Sequence, residues 1–282
     1  MSFFIDFAYF PYYNKQGGII MIKNNKFIKI LPAIIIITGF INNIITEDIS
    51  FNAFESLPGF ANFQYKLITM PEIYIAMFIM FIYLIAVFIY DAIASKKQDT
   101  ENIKAKKMIF ISNIVVICLS VICVFLSSFS FITTENTPIP EKSQGKYLDV
   151  NDFGIEDKIT DIGFSFGDVE ISNEIRTKKT VSAELTLTKE CYYIGDTHFY
   201  VYQDILEYRN EKTALKVAEL LSSGKNTGYK ETEYEGFGKV YVSDEDLIGV
   251  IGNTVYRITI ITSDNTLRPD SNHLLEAIKN RA

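Results

Sequence analysis

The densest run of potential metal ligands is DVNDFGIEDKITD, residues 149–161. An EF-hand loop needs oxygen ligands at its first, third and fifth positions, a glycine at the sixth and a bidentate glutamate at the twelfth. Asp149, Asn151 and Gly154 match this pattern, but Phe153 occupies the fifth position and Thr160 the twelfth. Because two of the essential ligands are missing, we expect no EF-hand here.

The same run offers calcium a looser arrangement. Calcium prefers carboxylate oxygens, and the candidate ligands are Asp149, Asp152, Glu156 and Asp157. The simpler interpretation is a solvated acidic turn without a metal. We take the acidic turn as the default and the calcium site as the alternative.

Two glycine-containing stretches match phosphate-binding loops only in part. In LLSSGKNTG the pair GK lacks the upstream glycine of a phosphate loop, and Asn226 stands where a serine or threonine must meet magnesium. In GFGKVY, Tyr241 takes the place of the third glycine of a dinucleotide site. Both stretches are typical of turns, so we expect no cofactor.

The chain offers few residues for acid–base catalysis. Its two histidines are His198 and His273. His198 follows Asp196 by two residues, which puts both on one face of a strand and makes them a candidate metal pair. A structural role is commoner for such histidines, and no G-x-S-x-G nucleophile motif accompanies them. We therefore expect that the protein is not an enzyme.

Charge divides the chain into two unlike halves. Residues 1–140 hold 10 Lys and Arg against 9 Asp and Glu, whereas residues 141–282 hold 17 against 25, a net charge of -8. An acidic domain repels phosphate backbones, and no basic stripe interrupts it. We therefore expect no nucleic-acid partner.

The chain contains three cysteines, and their spacing suits neither a disulfide nor a metal site. Cys118 and Cys123 lie five residues apart in an apolar run, which puts them on different faces of a helix, and Cys191 is alone in the acidic half. We expect neither a disulfide framework nor a zinc site.

Two apolar runs are long enough to cross a bilayer. Spanning the hydrocarbon core takes roughly 20 helical residues. Residues 70–94 meet that length with charges only at Glu72 and Asp91, near their ends, and residues 108–132 meet it with no charge. These runs predict a second and a third transmembrane helix.

The first predicted span, residues 28–45, is less regular. It carries Lys29 at its start, Pro32 inside and two asparagines near its end. Its uncharged core is about as long as the apolar region of a signal peptide, but no small-residue cleavage site follows it. We interpret it as an uncleaved span, with a cleaved signal peptide as the alternative.

The N-terminal segment, residues 1–27, is predicted to be cytoplasmic. Its first twenty residues are rich in Phe and Tyr and lack a clear period, which is typical of a segment lying on the membrane surface. A start of translation at Met21 would remove them, and the sequence does not decide between the two.

Lysines set the orientation of the spans. Three lysines precede the first span and five crowd residues 95–107, whereas residues 46–69 contain only Lys66. Short lysine-rich loops stay cytoplasmic. This places the loop 46–69 and everything after Ile132 outside the cytoplasm. Asp91 lies five residues before Lys96, so it marks the cytoplasmic end of a span rather than a buried functional acid.

The outer loop has the pattern of an amphipathic helix. Apolar residues recur every three or four positions at Phe51, Phe54, Leu57, Phe60, Phe63 and Leu67, with a break at PG. Such a segment either lies in the outer membrane interface or packs under the C-terminal domain. Periodicity alone does not separate these options.

A polar linker, residues 133–145, leads to a predicted domain of residues 146–282. Strand-like alternation occurs in five stretches, namely DIGFSFGDVEIS, VSAELTL, THFYVYQDI, GKVYVSD and TVYRITIIT. Gly252 and Asn253 predict a tight hairpin turn before the last of these.

Two helices are predicted among these strands. EKTALKVAELLSS places Ala214, Val217, Ala218 and Leu221 on one face, and PDSNHLLEAIKN can bury Leu274, Leu275 and Ile278. The order of strands, helix, strands, helix predicts an antiparallel α+β domain with its helices on one side of the sheet.

The sequence therefore predicts a multi-pass protein of the bacterial cell membrane with an extracytoplasmic α+β domain. We expect that domain to be a non-catalytic binding or accessory module. Its expected partners are the lipid bilayer and another membrane or cell-envelope protein. One alternative is a subunit of a larger transport or signalling assembly, and another, less favoured, is an extracytoplasmic hydrolase.

This orientation is testable by protease treatment of intact cells. A protease added outside should remove the C-terminal domain, because the lysine distribution places that domain outside the cytoplasm. Survival of the domain while a known surface protein is cut would contradict the orientation.

Overall fold

The computed structural model describes residues 26–45, 59–94, 101–128, 131–132, 138–161, 169–179, 183–194, 197–223 and 228–282. The predicted N-terminal segment up to residue 25, the outer loop before residue 59, Asp196 and part of the linker lie outside these ranges. Contacts divide the described chain into two units. One holds residues 26–37 and Phe78–Val121, and the other holds Thr38–Met77 and Ile122–Ala282.

Four helices precede the sheet in the described part of the chain. They are α1 (Lys26–Ile45), α2 (Gly59–Thr69), α3 (Pro71–Ala94) and α4 (Glu101–Ser128). Within α3 and α4, Pro71–Tyr90 and Ile109–Leu126 have mean hydropathies of 2.6 and 2.9, and only 28% and 17% of the residues in these stretches are buried. Helices that are this apolar and this exposed are better suited to a lipid environment than to a protein core.

The first predicted span does form a helix, but its apolar stretch is short. Ile30–Gly39 is the apolar part of α1, which is less than the bilayer requires. The structure therefore supports two of the three predicted spans by length and composition.

Polar residues of α4 face α3. The Ser120 hydroxyl donates to the carbonyl oxygen of Val116 at 2.7 Å and lies 3.7 Å from the Met80 sulfur of α3. A serine that bonds its own backbone and touches the neighbouring helix serves helix packing. This contact favours packing over a transport pathway.

The second unit is built on one antiparallel sheet. The described residues form eight strands in the spatial order β1-β2-β3-β4-β8-β7-β6-β5. The strands are β1 (Phe131–Ile132), β2 (Val169–Lys179), β3 (Ala183–Ile194), β4 (Thr197–Tyr208), β5 (Lys230–Thr232), β6 (Lys239–Val242), β7 (Asp246–Ile251) and β8 (Thr254–Thr262). Every pair of neighbours is antiparallel, which confirms the predicted α+β class.

The predicted hairpin turn joins β7 to β8. Gly252 adopts a φ of 56°, a left-handed conformation that costs glycine little. Asn253 then donates its side-chain amide to the Tyr208 carbonyl oxygen at 2.6 Å, so the turn also holds the end of β4. The prediction from residues 252–253 is confirmed.

The helices lie on both faces of the sheet rather than on one side. Among the described residues α5 (Glu156–Asp161) and α7 (Ser271–Arg281) pack on one face, called here the α7 face, with Tyr256, Ile258 and Ile260 of β8. Helix α6 (Glu211–Ser222) packs on the opposite face, the α6 face, with Val255 of β8. The prediction of one side is wrong because a helical period shows that a helix has a buried face but not which sheet face receives it.

Helix α2 belongs to the α6 face. The Tyr65 side chain is 1% exposed and its hydroxyl lies 3.2 Å from that of Tyr208 on β4. Arg209 pairs with Glu72 at the start of α3. Phe60 and Leu67, from the predicted apolar face, stay 66% and 43% exposed. Helix α2, the described part of this loop, thus packs against the domain through Tyr65 rather than through Phe60 or Leu67.

Removing the Tyr65 ring should destabilise the sheet domain. Tyr65→Ala is expected to lower its free energy of unfolding by about 3–5 kcal/mol, because a buried aromatic side chain leaves a cavity when truncated. Phe60→Ala, on the same helix but exposed, should change it by no more than about 0.5 kcal/mol. Urea unfolding of the full chain in detergent, followed by circular dichroism, measures both. Equal effects would contradict the packing of α2.

Candidate functional site

The predicted calcium ligands Asp149 and Asp152 form a capping arrangement. The Asp149 carboxylate accepts a hydrogen bond from the Asn151 backbone N–H at 2.9 Å, and the Asp149 backbone N–H donates to the Asp152 carboxylate at 2.7 Å. This reciprocal pattern starts a short 3-10 helix, Val150–Phe153. Both carboxylates therefore satisfy backbone donors.

A basic residue occupies the space beside these carboxylates. The Arg281 guanidinium lies 2.9 Å from Asp149 and 2.5 Å from Asp152, and donates to the Tyr147 carbonyl oxygen at 2.8 Å. Partial burial alone would raise the pKa of Asp149, but the Asn151 hydrogen bonds and Arg281 lower it. Arg281 thus supplies the positive charge that a cation would bring.

The other two candidate ligands begin α5. Glu156 and Asp157 are exposed in its first turn, where acidic side chains are favoured by the helix dipole. Within the described residues no group of three His, Cys, Asp or Glu is arranged to hold a metal. Calcium binding stays a prediction, and the geometry favours the default acidic turn.

A second candidate site surrounds His198. Cross-strand pairing places Tyr193 opposite His198, and Tyr200 opposite Ile261, all on the α6 face. The His198 ring lies 6.2 Å from that of Tyr193 and 5.3 Å from that of Tyr200, measured between centroids. We call Tyr193, His198, Tyr200 and Ile261 the aromatic platform.

The aromatic platform is accessible to solvent. Tyr193 and Ile261 are 41% and 40% exposed. A hydrogen bond with the buried Cys191 thiol raises the pKa of the Tyr193 hydroxyl, as do burial and the neighbouring Glu170 to a lesser extent. Its hydroxyl therefore stays protonated in neutral solution and can donate a hydrogen bond.

One lysine approaches the platform from β3. The Lys189 ammonium lies 5.7 Å from the centroid of the Tyr200 ring, within the range of a cation–π contact. The platform therefore combines ring faces, hydroxyl donors and one positive charge. Such a surface suits contact with an amphipathic ligand.

Sequence reasoning found His198 but not its surroundings. The predicted partner Asp196 lies outside the described residues. Tyr193 and His198 sit on different strands, and the register that joins them follows from the hairpin between β3 and β4. The alternation in THFYVYQDI was the available indication, since it puts His198 and Tyr200 on one face.

A buried charged cluster lies on the α6 face. Asp204 of β4 is opposite Arg257 of β8, and both are buried. Arg257 lies 3.4 Å from the Asp246 carboxylate, which also accepts a hydrogen bond from the Thr259 hydroxyl. The ion pair of Arg257 with Asp246 joins β8 to β7, so this cluster is interpreted as structural.

Gln203, a buried residue on the α7 face, binds the backbone of Leu148, the residue just before Asp149. The Gln203 side chain accepts from the Leu148 backbone N–H at 2.8 Å and donates to its carbonyl oxygen at 2.7 Å. Glu190 accepts from the Tyr192 hydroxyl. Burial raises the pKa of Glu190, partly offset by its hydrogen bonds from Tyr192 and Gln203.

Comparison with family models, with curated proteins and with solved structures finds no match to this chain. The positions and chemistry of its own residues are therefore the grounds for assigning a function.

The buried Glu190 carboxylate should make stability depend on pH. Because its folded pKa is raised, the folded state holds the proton more tightly, and stability is lost as the pH rises through that pKa. Glu190→Gln avoids this loss while keeping an acceptor for Tyr192. The Tm of Glu190→Gln minus that of the wild type should therefore increase between pH 4 and pH 7.

Thermal unfolding of the full chain across that pH range measures the difference. Glu233→Gln, on an exposed turn, is the matched control. A Tm difference for Glu190→Gln that stays constant with pH, or falls, would contradict the assigned burial.

Proposed function

We propose that this chain is a membrane-anchored protein whose outer α+β domain is a non-catalytic binding module. Its binding surface is the aromatic platform. The observation that carries the proposal is the exposure of this platform on a domain whose other aromatic side chains largely pack into two cores.

The composition of the platform suits binding. Tyrosine rings give large, rigid contact areas with few rotatable bonds, and their hydroxyls fix orientation through hydrogen bonds. A large aliphatic side chain beside them, Ile261, adds apolar area that water solvates poorly. This composition suits non-covalent binding of a ligand, and the proposal requires no bond-breaking step.

Strand β4 carries part of the aromatic platform and also contacts α2, the helix that leads into α3. Tyr200 lies toward one end of β4 and Tyr208, which contacts Tyr65 of α2, lies at the other. Eight residues of strand separate them by roughly 26 Å. A ligand on the platform is therefore held by the strand that also holds α2, which is followed directly by the apolar helix α3.

The lysine-rich loop between α3 and α4 supports an extracytoplasmic location for the platform. In this arrangement α3 and α4 contact the bilayer. The ligand is then a component met outside the cytoplasm, such as an envelope glycan, a peptide or the outer part of another membrane protein.

One observation favours the alternative, a subunit of a larger membrane assembly. Phe60 and Leu67 of α2 are 66% and 43% exposed. A second membrane protein packed against α2 would cover these apolar side chains.

The platform is testable with a fluorescent reporter, since the chain contains no tryptophan. Tyr193→Trp places a single indole on the platform, and Tyr234→Trp, on a turn beside α7, is the matched control. We expect at least one member of a panel of envelope glycans and peptides to shift the emission of the Tyr193→Trp reporter saturably, while the Tyr234→Trp reporter stays unchanged.

Adding Tyr200→Ala should then weaken that binding about fivefold or more, because stacking on aromatic side chains contributes about 1–3 kcal/mol. A ligand that moves both reporters equally, or whose affinity survives Tyr200→Ala, does not use the platform. No response from the whole panel would favour the assembly-subunit alternative.

A further inference from the structure

Helix α2 has two opposite faces with different surroundings. Tyr65 is 1% exposed and packs into the core of the α6 face, with Ile68 beside it. Phe60 and Leu67 are seven residues apart, which puts them on one line along the helix, roughly 140–160° around the axis from Tyr65. Their side chains are 66% and 43% exposed. One side of α2 therefore holds the sheet domain, while the opposite side presents accessible apolar side chains.

Aromatic rings connect this accessible side to the start of α3. The Phe60 ring lies 6.1 Å from that of Phe63, and the Phe63 ring meets that of Tyr74 edge to face at 5.6 Å, measured between centroids. Tyr74 belongs to the first turn of α3, and Ile75, the next residue, is 58% exposed. The apolar side of α2 is therefore continuous with the beginning of α3.

The chain bends between the two helices. In one straight helix, residues 63 and 74 would be separated by about 16 Å along the axis. The short distance between the Phe63 and Tyr74 rings shows that α2 does not extend the axis of α3. Met70 separates the helices, and Pro71 is suited to the first position of a new one. If α3 crosses a bilayer, α2 then lies across the end of the crossing segment, at the bilayer surface.

An ion pair marks the polar level at the start of α3. The Glu72 carboxylate pairs with Arg209, and the two side chains are 67% and 38% exposed. Such charges are costly within hydrocarbon and stay where water and lipid head groups solvate them. Ile75 follows only three residues later, so the change from polar to apolar surroundings falls within the first turn of α3. The contact between Phe63 and Tyr74 brings α2 to this boundary.

We infer that α2 lies in the surface of the lipid bilayer, with Phe60 and Leu67 among the acyl chains and Tyr65 in the core of the sheet domain. The sheet domain is then held against the membrane surface through α2. Lipid is the occupant that these observations favour, because the exposed side chains adjoin a helix that is itself long and apolar enough to cross a bilayer. The inference rests on the proposed membrane anchoring through α3 and does not depend on the aromatic platform.

A tryptophan on α2 reports lipid contact directly, because the chain contains no other tryptophan. The purified full chain carrying Phe60→Trp is reconstituted in phosphatidylcholine vesicles with or without bromine atoms on the acyl chains, which quench an indole only on close approach. We expect the brominated lipid to remove about half of the emission or more, since an interfacial helix buries its apolar face roughly 5–10 Å into the boundary of head groups and acyl chains. Leu67→Trp, a second reporter at an exposed position, should respond in the same way.

Two further reporters separate the possible failures. Tyr234→Trp lies on a turn beside α7, on the opposite face of the sheet, and should keep its emission in brominated lipid. Phe78→Trp replaces a side chain of α3 that is 60% exposed, and it should be quenched at least as strongly as Phe60→Trp. Unquenched emission from Phe78→Trp would contradict the membrane anchoring and the inference together. Quenching of Phe78→Trp with neither α2 reporter quenched would overturn the inference alone.

Dissolved acrylamide identifies what else could cover α2. Lipid contact should let acrylamide quench Phe60→Trp only about a third as strongly as Tyr234→Trp, or less, because the acyl region excludes a polar solute. Equal quenching of the two would show that water covers the apolar side of α2. Protection from both acrylamide and bromine would show that another protein chain covers it. Either of these results would overturn the inference.

Discussion

The burial of Tyr65 against the α6 face is the contact on which the rest of the structure depends. Its ring packs with that of Tyr208, at a centroid distance of 6.3 Å, and desolvation of its hydroxyl raises its pKa well above the usual range. A hydroxyl so enclosed needs a polar partner, and Tyr208 provides it. Through this one residue, helix α2, which precedes the long apolar helix α3, becomes part of the core of the sheet domain.

Strand β4 connects the contact with α2 to the aromatic platform. β4 pairs with β3 on one side and with β8 on the other, so its register is fixed from both sides. One end of β4 contacts α2 through Tyr208, and the other presents the aromatic platform. The position of the exposed rings follows from this register.

Much of the fold could be predicted from local sequence patterns. Hydropathy identified α3 and α4, since a helix in lipid needs an uninterrupted apolar run. Gly252 identified the hairpin, because few residues tolerate its conformation. Alternation identified the major strands. The apolar period of the outer loop identified a helix but not its buried face, since Tyr65 packs inward while Phe60 stays exposed.

Features that depend on distant residues could not be predicted in this way. Arg281, which neutralises the first predicted calcium ligand, is far from Asp149 in sequence. The aromatic platform required the register of β3 against β4. Each arises from tertiary placement rather than local periodicity, which is why single-sequence reasoning misses it.

Hydrogen–deuterium exchange of the full chain in lipid nanodiscs measures whether α2 opens together with the sheet domain or separately from it. The amides of Lys66–Thr69 should exchange as slowly as those in the middle of β4, because both open only when the domain core opens. Tyr208→Leu should speed exchange in α2 selectively. Rapid exchange throughout α2 in the wild-type chain, with β4 still protected, would show that α2 is an independent surface helix and would contradict the account.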